Sequence, residues 1–246
     1  MTITTSTLVA DIATASPATI KVFQRHRIDF CCGGRVPLGE VCEAHQIAPP
    51  LLIDELERAL HSTEKEIDWT TASLTSLVAH IQARFHRPLE EEIPRLRAMV
   101  DKVVSRHGAR LPRLVLLQAT FAGLQDELLD HMKKEDVLLF PAIVALEAGA
   151  APGRSAGWTW IDQPILVMEA EHAAAGAALE RIAELTDGHT PPADACPTFR
   201  GLYHGLSELE RDMHVHVHLE NHILFPRAAA LARSVAPELA RLRRDG

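Results

Sequence analysis

Apolar residues recur at steps of three and four through most of this chain, and the breaks in that rhythm divide it into segments. Ser16-Pro17 is an N-cap followed by proline at the first helical position, which predicts a short helix to about His26. Ile28-Asp-Phe-Cys-Cys-Gly-Gly34 reads as a turn. A second short helix is expected after Pro37, and the period resumes at Leu51-Leu52-Ile53 behind Pro49-Pro50. The polar stretch from His61 to Trp69 interrupts it again. These breaks predict a helical module over residues 1–62, a linker over 63–72 and a larger helical domain over 73–246. Four long helical patterns fill the larger domain, at about 73–107, 111–146, 161–186 and 199–236. Pro88 and Pro94 should kink the first, and Ala148 to Gly157 should form a mobile loop. The expected fold class is all-α, an antiparallel four-helix bundle behind a small helical module, with almost no strand.

Polar residues interrupt each long stripe at matching places. His86 lies in line with Leu89, Ile93, Leu96 and Val100, and His172 with Ile165, Met168, Ala175, Leu179 and Ile182. The second helix reads Leu117, Phe121, Leu124, Leu128, His131, Glu135, Leu138; the fourth reads Leu202, Leu206, Leu209, Met213, His216, Glu220, Ile223. Two segments, His131-Met-Lys-Lys-Glu135 through Pro141 and His216-Val-His-Leu-Glu220 through Pro226, are near copies. His-x-x-x-Glu on a helix puts both side chains on one face, about 6 Å apart along the axis. One histidine on an apolar face is more simply a hydrogen-bonded core residue. Six ligand-type side chains in register reverse that preference, because each unpaired buried charge costs several kcal/mol and metal ions are the direct compensation. The duplication predicts two metals, each taking two histidines and sharing both glutamates. Nitrogen and oxygen donors without thiolate favour iron or manganese over structural zinc.

Composition narrows the setting. A formal charge of -8 and a pI near 5.9 argue against a nucleic-acid partner. The one basic cluster, Arg241-Leu-Arg243-Arg244, reads as a helix end. No apolar run approaches a membrane span, and the amino terminus meets Asp11 before an export signal could form. Cys42 and Cys196 are isolated, so the four cysteines make a poor disulfide framework; a reducing cytoplasm is the expected setting. Adjacent Cys31 and Cys32 are either two buried structural residues or a reactive, metal-handling thiol pair, with Gly33-Gly34 allowing close backbone approach. Glu127 and Asp212 each precede a ligand histidine by four residues and are candidates to orient imidazoles; Glu171, beside His172, is a candidate for access or proton shuttling. For all three the alternative is an exposed helix acid.

The quoted segments, with Phe85-His86, Met168-Glu-Ala-Glu-His172 and the Cys-Cys-Gly-Gly turn, resemble the repair of iron centres family across nearly the whole chain. The resemblance implies a hemerythrin-like bundle holding two irons, bridged by Glu135, Glu220 and an oxo or hydroxo group, with His86, His131, His172 and His216 as the remaining ligands. It implies repair of damaged iron-sulfur clusters under nitrosative or oxidative stress by supply of iron, with damaged or apo iron-sulfur proteins as partners and nitric oxide or oxygen as small ligands. It also makes Cys31-Cys32 the mark of the amino-terminal module. A nitric-oxide-binding or nitric-oxide-reducing role is the alternative, and an enzymatic role stays open. A homodimer with exchanged modules is compatible with the two-domain plan. Oxygen-carrying hemerythrins have a second histidine four residues beyond the one on helix three; here that position is Gly176.

Overall fold

The protein is described by a computed structural model covering residues 1–61, 67–149 and 161–242, with side chains to residue 235. The expected loop beyond residue 149, most of the expected linker before Ile67 and the side chains of the basic tail lie outside the described residues. Among the described residues the structure is all helix, with one isolated bridge between Leu8 and Pro37.

Four short helices form the amino-terminal module: α1 (Val9–Ala15), α2 (Pro17–Arg25), α3 (Leu38–Ala44) and α4 (Pro49–Leu60). The Ser16 side chain caps α2 through the Ala18 amide, as its sequence predicts. The pattern reading omits α1, whose short Val9-Ala-Asp-Ile-Ala segment carries no capping side chain. It is held instead by its buried face of Val9, Ala10, Ile12 and Ala13.

The bundle consists of α5 (74–107), α6 (113–147), α7 (Asp162–Leu185) and α8 (197–242). Neighbours pack in the ring α5–α6–α7–α8–α5 around the apolar stripes. The Ser73 hydroxyl accepts the Ser76 amide at the start of α5, and Glu147 from the end of α6 accepts those of Leu74 (2.7 Å) and Thr75 (2.8 Å). Glu147 thus satisfies amides that a helix start leaves open. Glu147→Ala should cost about 1 kcal/mol, read as a lowered thermal midpoint with bundle helicity retained.

Three of the four long helices widen into π turns, at Gln82–His86 in α5, Glu135–Leu139 in α6 and Glu220–Leu224 in α8. Each turn ends two residues before a proline: Pro88, Pro141 and Pro226. A proline inside a helix lacks the amide for the four-residue bond and crowds the carbonyl it would have reached. Here the preceding residue, Arg87, Phe140 or Phe225, bonds five residues back instead. The expected kink at Pro88 is therefore a widened turn, and Pro94 is absorbed within continuous helix. The extra residue also moves the stripe of α6. Leu138, expected inside, is 67 % exposed, and Leu139 takes the core position.

One apolar core runs from Ile3 to Ala232, through module and bundle alike. Phe30 of the module stacks with Phe23 and meets the edge of His218 on α8 at 5.5 Å. The described part of the expected linker is also fixed, since Arg227 donates to the carbonyls of Trp69 and Ala72. No helix among the described residues is long and apolar enough to cross a membrane.

Candidate metal centre

The π turns position the ligand-type side chains. His86 closes the turn in α5, whereas Glu135 and Glu220 open those in α6 and α8, four residues beyond His131 and His216. With His172 from α7, all six are buried in the bundle interior. Their donor atoms fall into two groups, His86 with His216 and His131 with His172, each completed by the same Glu135 and Glu220. The Nε2 atoms of His86 and His216 are 3.0 Å apart, and those of His131 and His172 are 2.9 Å apart. Glu220 reaches His216 (3.0 Å) through Oε1 and His172 (3.1 Å) through Oε2; Glu135 Oε2 lies 3.3 Å from His131 and 3.5 Å from His86.

This donor set fits cations. His86, His131 and His172 turn Nδ1 toward the acceptors Asp136 (2.9 Å), Glu171 (2.8 Å) and Asn221 (2.8 Å). A neutral ring donating from Nδ1 presents only a lone pair at Nε2. The His131 and His172 lone pairs would therefore face each other at 2.9 Å, a contact that requires a proton or a metal between them. Both Glu135 oxygens and Glu220 Oε2 are buried without hydrogen-bond partners, which points the same way. Without metal, protons serve. Burial opposes charge on His86, yet Asp136, Glu220 and Glu135 together raise its pKa to about 10. His172 is likewise raised to about 9 against the cost of burial, chiefly by Glu220, and His131 is raised by Glu135. Burial also opposes ionisation of Glu220, but the imidazoles, His216 foremost, hold its carboxyl well below the usual range.

The residues that orient the imidazoles differ in part from expectation. Glu171 contacts His131 and is itself paired with Lys134 (2.7 Å). Glu127 is exposed, and Asp212 is partly exposed and paired with Arg84. A residue one turn back along the same helix lies beside the seam, whereas an inward imidazole turns Nδ1 across to its neighbour. Asp136 and Asn221 were missed, although each directly follows a repeated glutamate and so was visible in the duplication. The symmetry ends at His216, whose Nδ1 has no partner and whose ring stacks on Phe85 at 5.3 Å. Asp136→Asn and Glu171→Gln should each weaken metal binding about 10- to 100-fold in chelator competition, with Glu127→Gln and Asp212→Asn near wild type.

The cysteine turn docks on this centre. Asp29 accepts the amides of Cys31 (2.9 Å), Cys32 (3.0 Å) and Gly33 (2.6 Å), and a Cβ on Gly33 would sit 2.8 Å from its carboxylate. The Cys31 carbonyl accepts from His222 Nε2 (2.8 Å) and from Asn221 Nδ2 (3.4 Å), so Asn221 joins the turn to His172. His218 donates to the Phe30 carbonyl. The off-stripe histidines of α8 are thus the seat of the module. Cys32 Sγ lies 3.5 Å from the His172 carbonyl, and a Cβ on Gly176 would come within 3.2 Å of it. A thiol therefore lies against the position where an oxygen carrier would have its extra histidine. Its hydrogen bond with Cys31 lowers the Cys32 pKa, while that bond and burial raise the pKa of Cys31. Cys42 is buried in the module core, and Cys196 lies 3.6 Å from His107 Nε2. A cavity of about 810 Å³ between α6 and α7 reaches His131 and His172 past Leu166, Ala170 and Glu171.

Fold and ligand geometry together define a hemerythrin-like cation-binding bundle. Residues 77–228 match the family described as the hemerythrin HHE cation binding domain, and residues 5–60 match ScdA_N, described as a domain of unknown function. The chain is 36 % identical over 223 residues to the iron-sulfur cluster repair protein ScdA of Staphylococcus haemolyticus, covering 91 % of this chain and 98 % of that protein. It is 38 % identical over 221 residues to the iron-sulfur cluster repair proteins YtfE of Yersinia pseudotuberculosis and Yersinia pestis, covering 88 % of this chain and 94 % of theirs. The chain belongs to the repair of iron centres family of hemerythrin-like proteins.

Proposed function

We propose that this protein repairs damaged iron-sulfur clusters by supplying iron held at His86, His131, Glu135, His172, His216 and Glu220. The observation that carries the reading is the sharing of two buried carboxylates between two imidazole pairs, with three carboxylate oxygens left unpartnered. The printed names of the relatives give the reading its direction. Iron, completed by an oxo or hydroxo bridge, would supply both the charge the pocket lacks and the cargo to be delivered. The chain's own residues do the rest. Asp136, Glu171 and Asn221 fix the imidazoles in place. The high proton affinity of His86 and His172 provides replacement cations when metal departs, so release does not leave buried carboxylates bare. The setting proposed is the cytoplasm under nitrosative or oxidative stress, with damaged or apo iron-sulfur proteins as clients. Incubating iron-loaded protein with an apo-cluster acceptor, reductant and sulfide should restore the acceptor's cluster absorption. Full retention of iron by the loaded protein under those conditions would sink the reading.

A further inference from the structure

Outside the paired imidazoles, one more set of ligand atoms converges among the described residues. The Asp29 carboxylate and the sulfurs of Cys31 and Cys32 all lie within 4.8 Å of one another. The sulfurs are 3.6 Å apart, and Cys31 Sγ is 3.3 Å from Asp29 Oδ1. Two thiolates on one tetrahedral ion at about 2.3 Å each would sit about 3.8 Å apart, close to the spacing already present. The turn is also built in advance: three of its amides bind Asp29, and Asn221 and His222 anchor the Cys31 carbonyl. A disulfide between adjacent residues is a poor alternative, because so small a ring strains the bond geometry. Asp29, Cys31 and Cys32 line a cavity of about 630 Å³ together with His45, Gly176 and Glu180. An ion held there would keep a coordination position facing open space.

We propose that Asp29, Cys31 and Cys32 form a third metal site, mononuclear and suited to a thiophilic divalent cation such as Fe(II), beside the bundle centre. Two thiolates and a carboxylate give a donor set softer than the imidazole-carboxylate set of the bundle, so the two sites differ in the ions and oxidation states they prefer. Binding exchanges the metal ion for the two thiol protons, which leave to solvent, and no electron is transferred. Cys32 Sγ lies 3.5 Å from the backbone of ligand His172, so the site adjoins the iron store on one side and the cavity on the other. Iron as the natural occupant rests on the supply reading above; the site itself rests on the turn.

The test uses full-length protein under anaerobic conditions. In the Glu135→Gln/Glu220→Gln variant, titration with Co(II) should produce thiolate-to-cobalt charge-transfer absorption saturating at about one ion per chain. Cys31→Ser or Cys32→Ser in that background should abolish the band, and Asp29→Asn should weaken binding at least tenfold. In wild type, Fe(II) beyond the capacity of the bundle should slow alkylation of Cys32 at least tenfold. That measurement stands whether or not the double variant folds. If the bundle loads two metals while the thiols alkylate at the metal-free rate, the third site falls and the supply reading survives. If the bundle takes no metal but the thiolate band forms, the supply reading falls and the third site stands. Oxidation of the pair to a disulfide with no thiolate band in either protein overturns the proposal.

Discussion

Glu135→Leu or Glu220→Leu should reduce metal loading from a pair of ions to at most one and abolish the spectrum of a bridged centre. Each carboxylate belongs to both donor groups, so neither ion can keep its full set when one is lost. Leucine continues the apolar stripe at either position, which keeps the helix and isolates the effect at the site. The second consequence is energetic. A ligand present at a hundred times its dissociation constant stabilises the folded state by about 2.7 kcal/mol, and a variant that cannot bind forfeits that gain. Metal analysis paired with thermal melts, with and without Fe(II), reads both effects. Two ions retained by either variant would contradict the sharing of that carboxylate.

Metal-free protein should lose stability as pH rises from about 7 to about 10. His86, with a pKa raised to about 10, and His172, raised to about 9, are favoured as imidazolium in the fold because Asp136, Glu220 and Glu135 outweigh the cost of burying them. A group whose pKa is higher folded than unfolded contributes fully below the unfolded value, about 6.5 for histidine, and the contribution vanishes as pH passes the folded value. The combined effect is on the order of a few kcal/mol, at about 1.4 kcal/mol for each pH unit per group. Glu220 acts in the opposite sense. Its depressed pKa contributes above the unfolded value of about 4.3 and is lost on acidification through the folded one. Stability of the metal-free protein should therefore peak at about pH 5–7. Metal loading removes the alkaline slope, because it displaces the imidazole protons, and it should release protons into unbuffered solution near neutral pH. Urea unfolding at pH 6, 8 and 10, with and without chelator, checks this; equal alkaline slopes in both forms would contradict it.

The bundle was legible because its stripes are long and its ligand-type residues repeat in register. His86 and His172 could be tied to the His-x-x-x-Glu pairs by matched spacing, without a motif of their own. Three features escaped for separate physical reasons. The α1 helix is short and has no capping side chain, so only tertiary packing defines it. Asp136 and Asn221 act across the helix interface, and the spacing used to find Glu127 and Asp212 measures neighbours along a single helix. Leu138 was placed inside because a period of 3.6 residues was carried unchanged past Glu135, where a π turn adds a residue. The position of the cysteine turn was unreadable for a further reason. His214, His218 and His222 lie off the core stripe, and nothing in that phase separates a surface from a face awaiting another part of the same chain.

The widened turns also determine which changes in chain length the protein can accept. Removing one residue from 82–86, 135–139 or 220–224 would let that turn close to ordinary pitch and swing everything beyond it by about 100° relative to what precedes it. In α6 such a deletion would separate the facing of His131 from that of Leu139, Ile143 and Leu146, even with every ligand still encoded. Relatives that keep the ligands should therefore tolerate insertions and deletions between helices far better than within these three five-residue windows, where residue number counts as much as residue type.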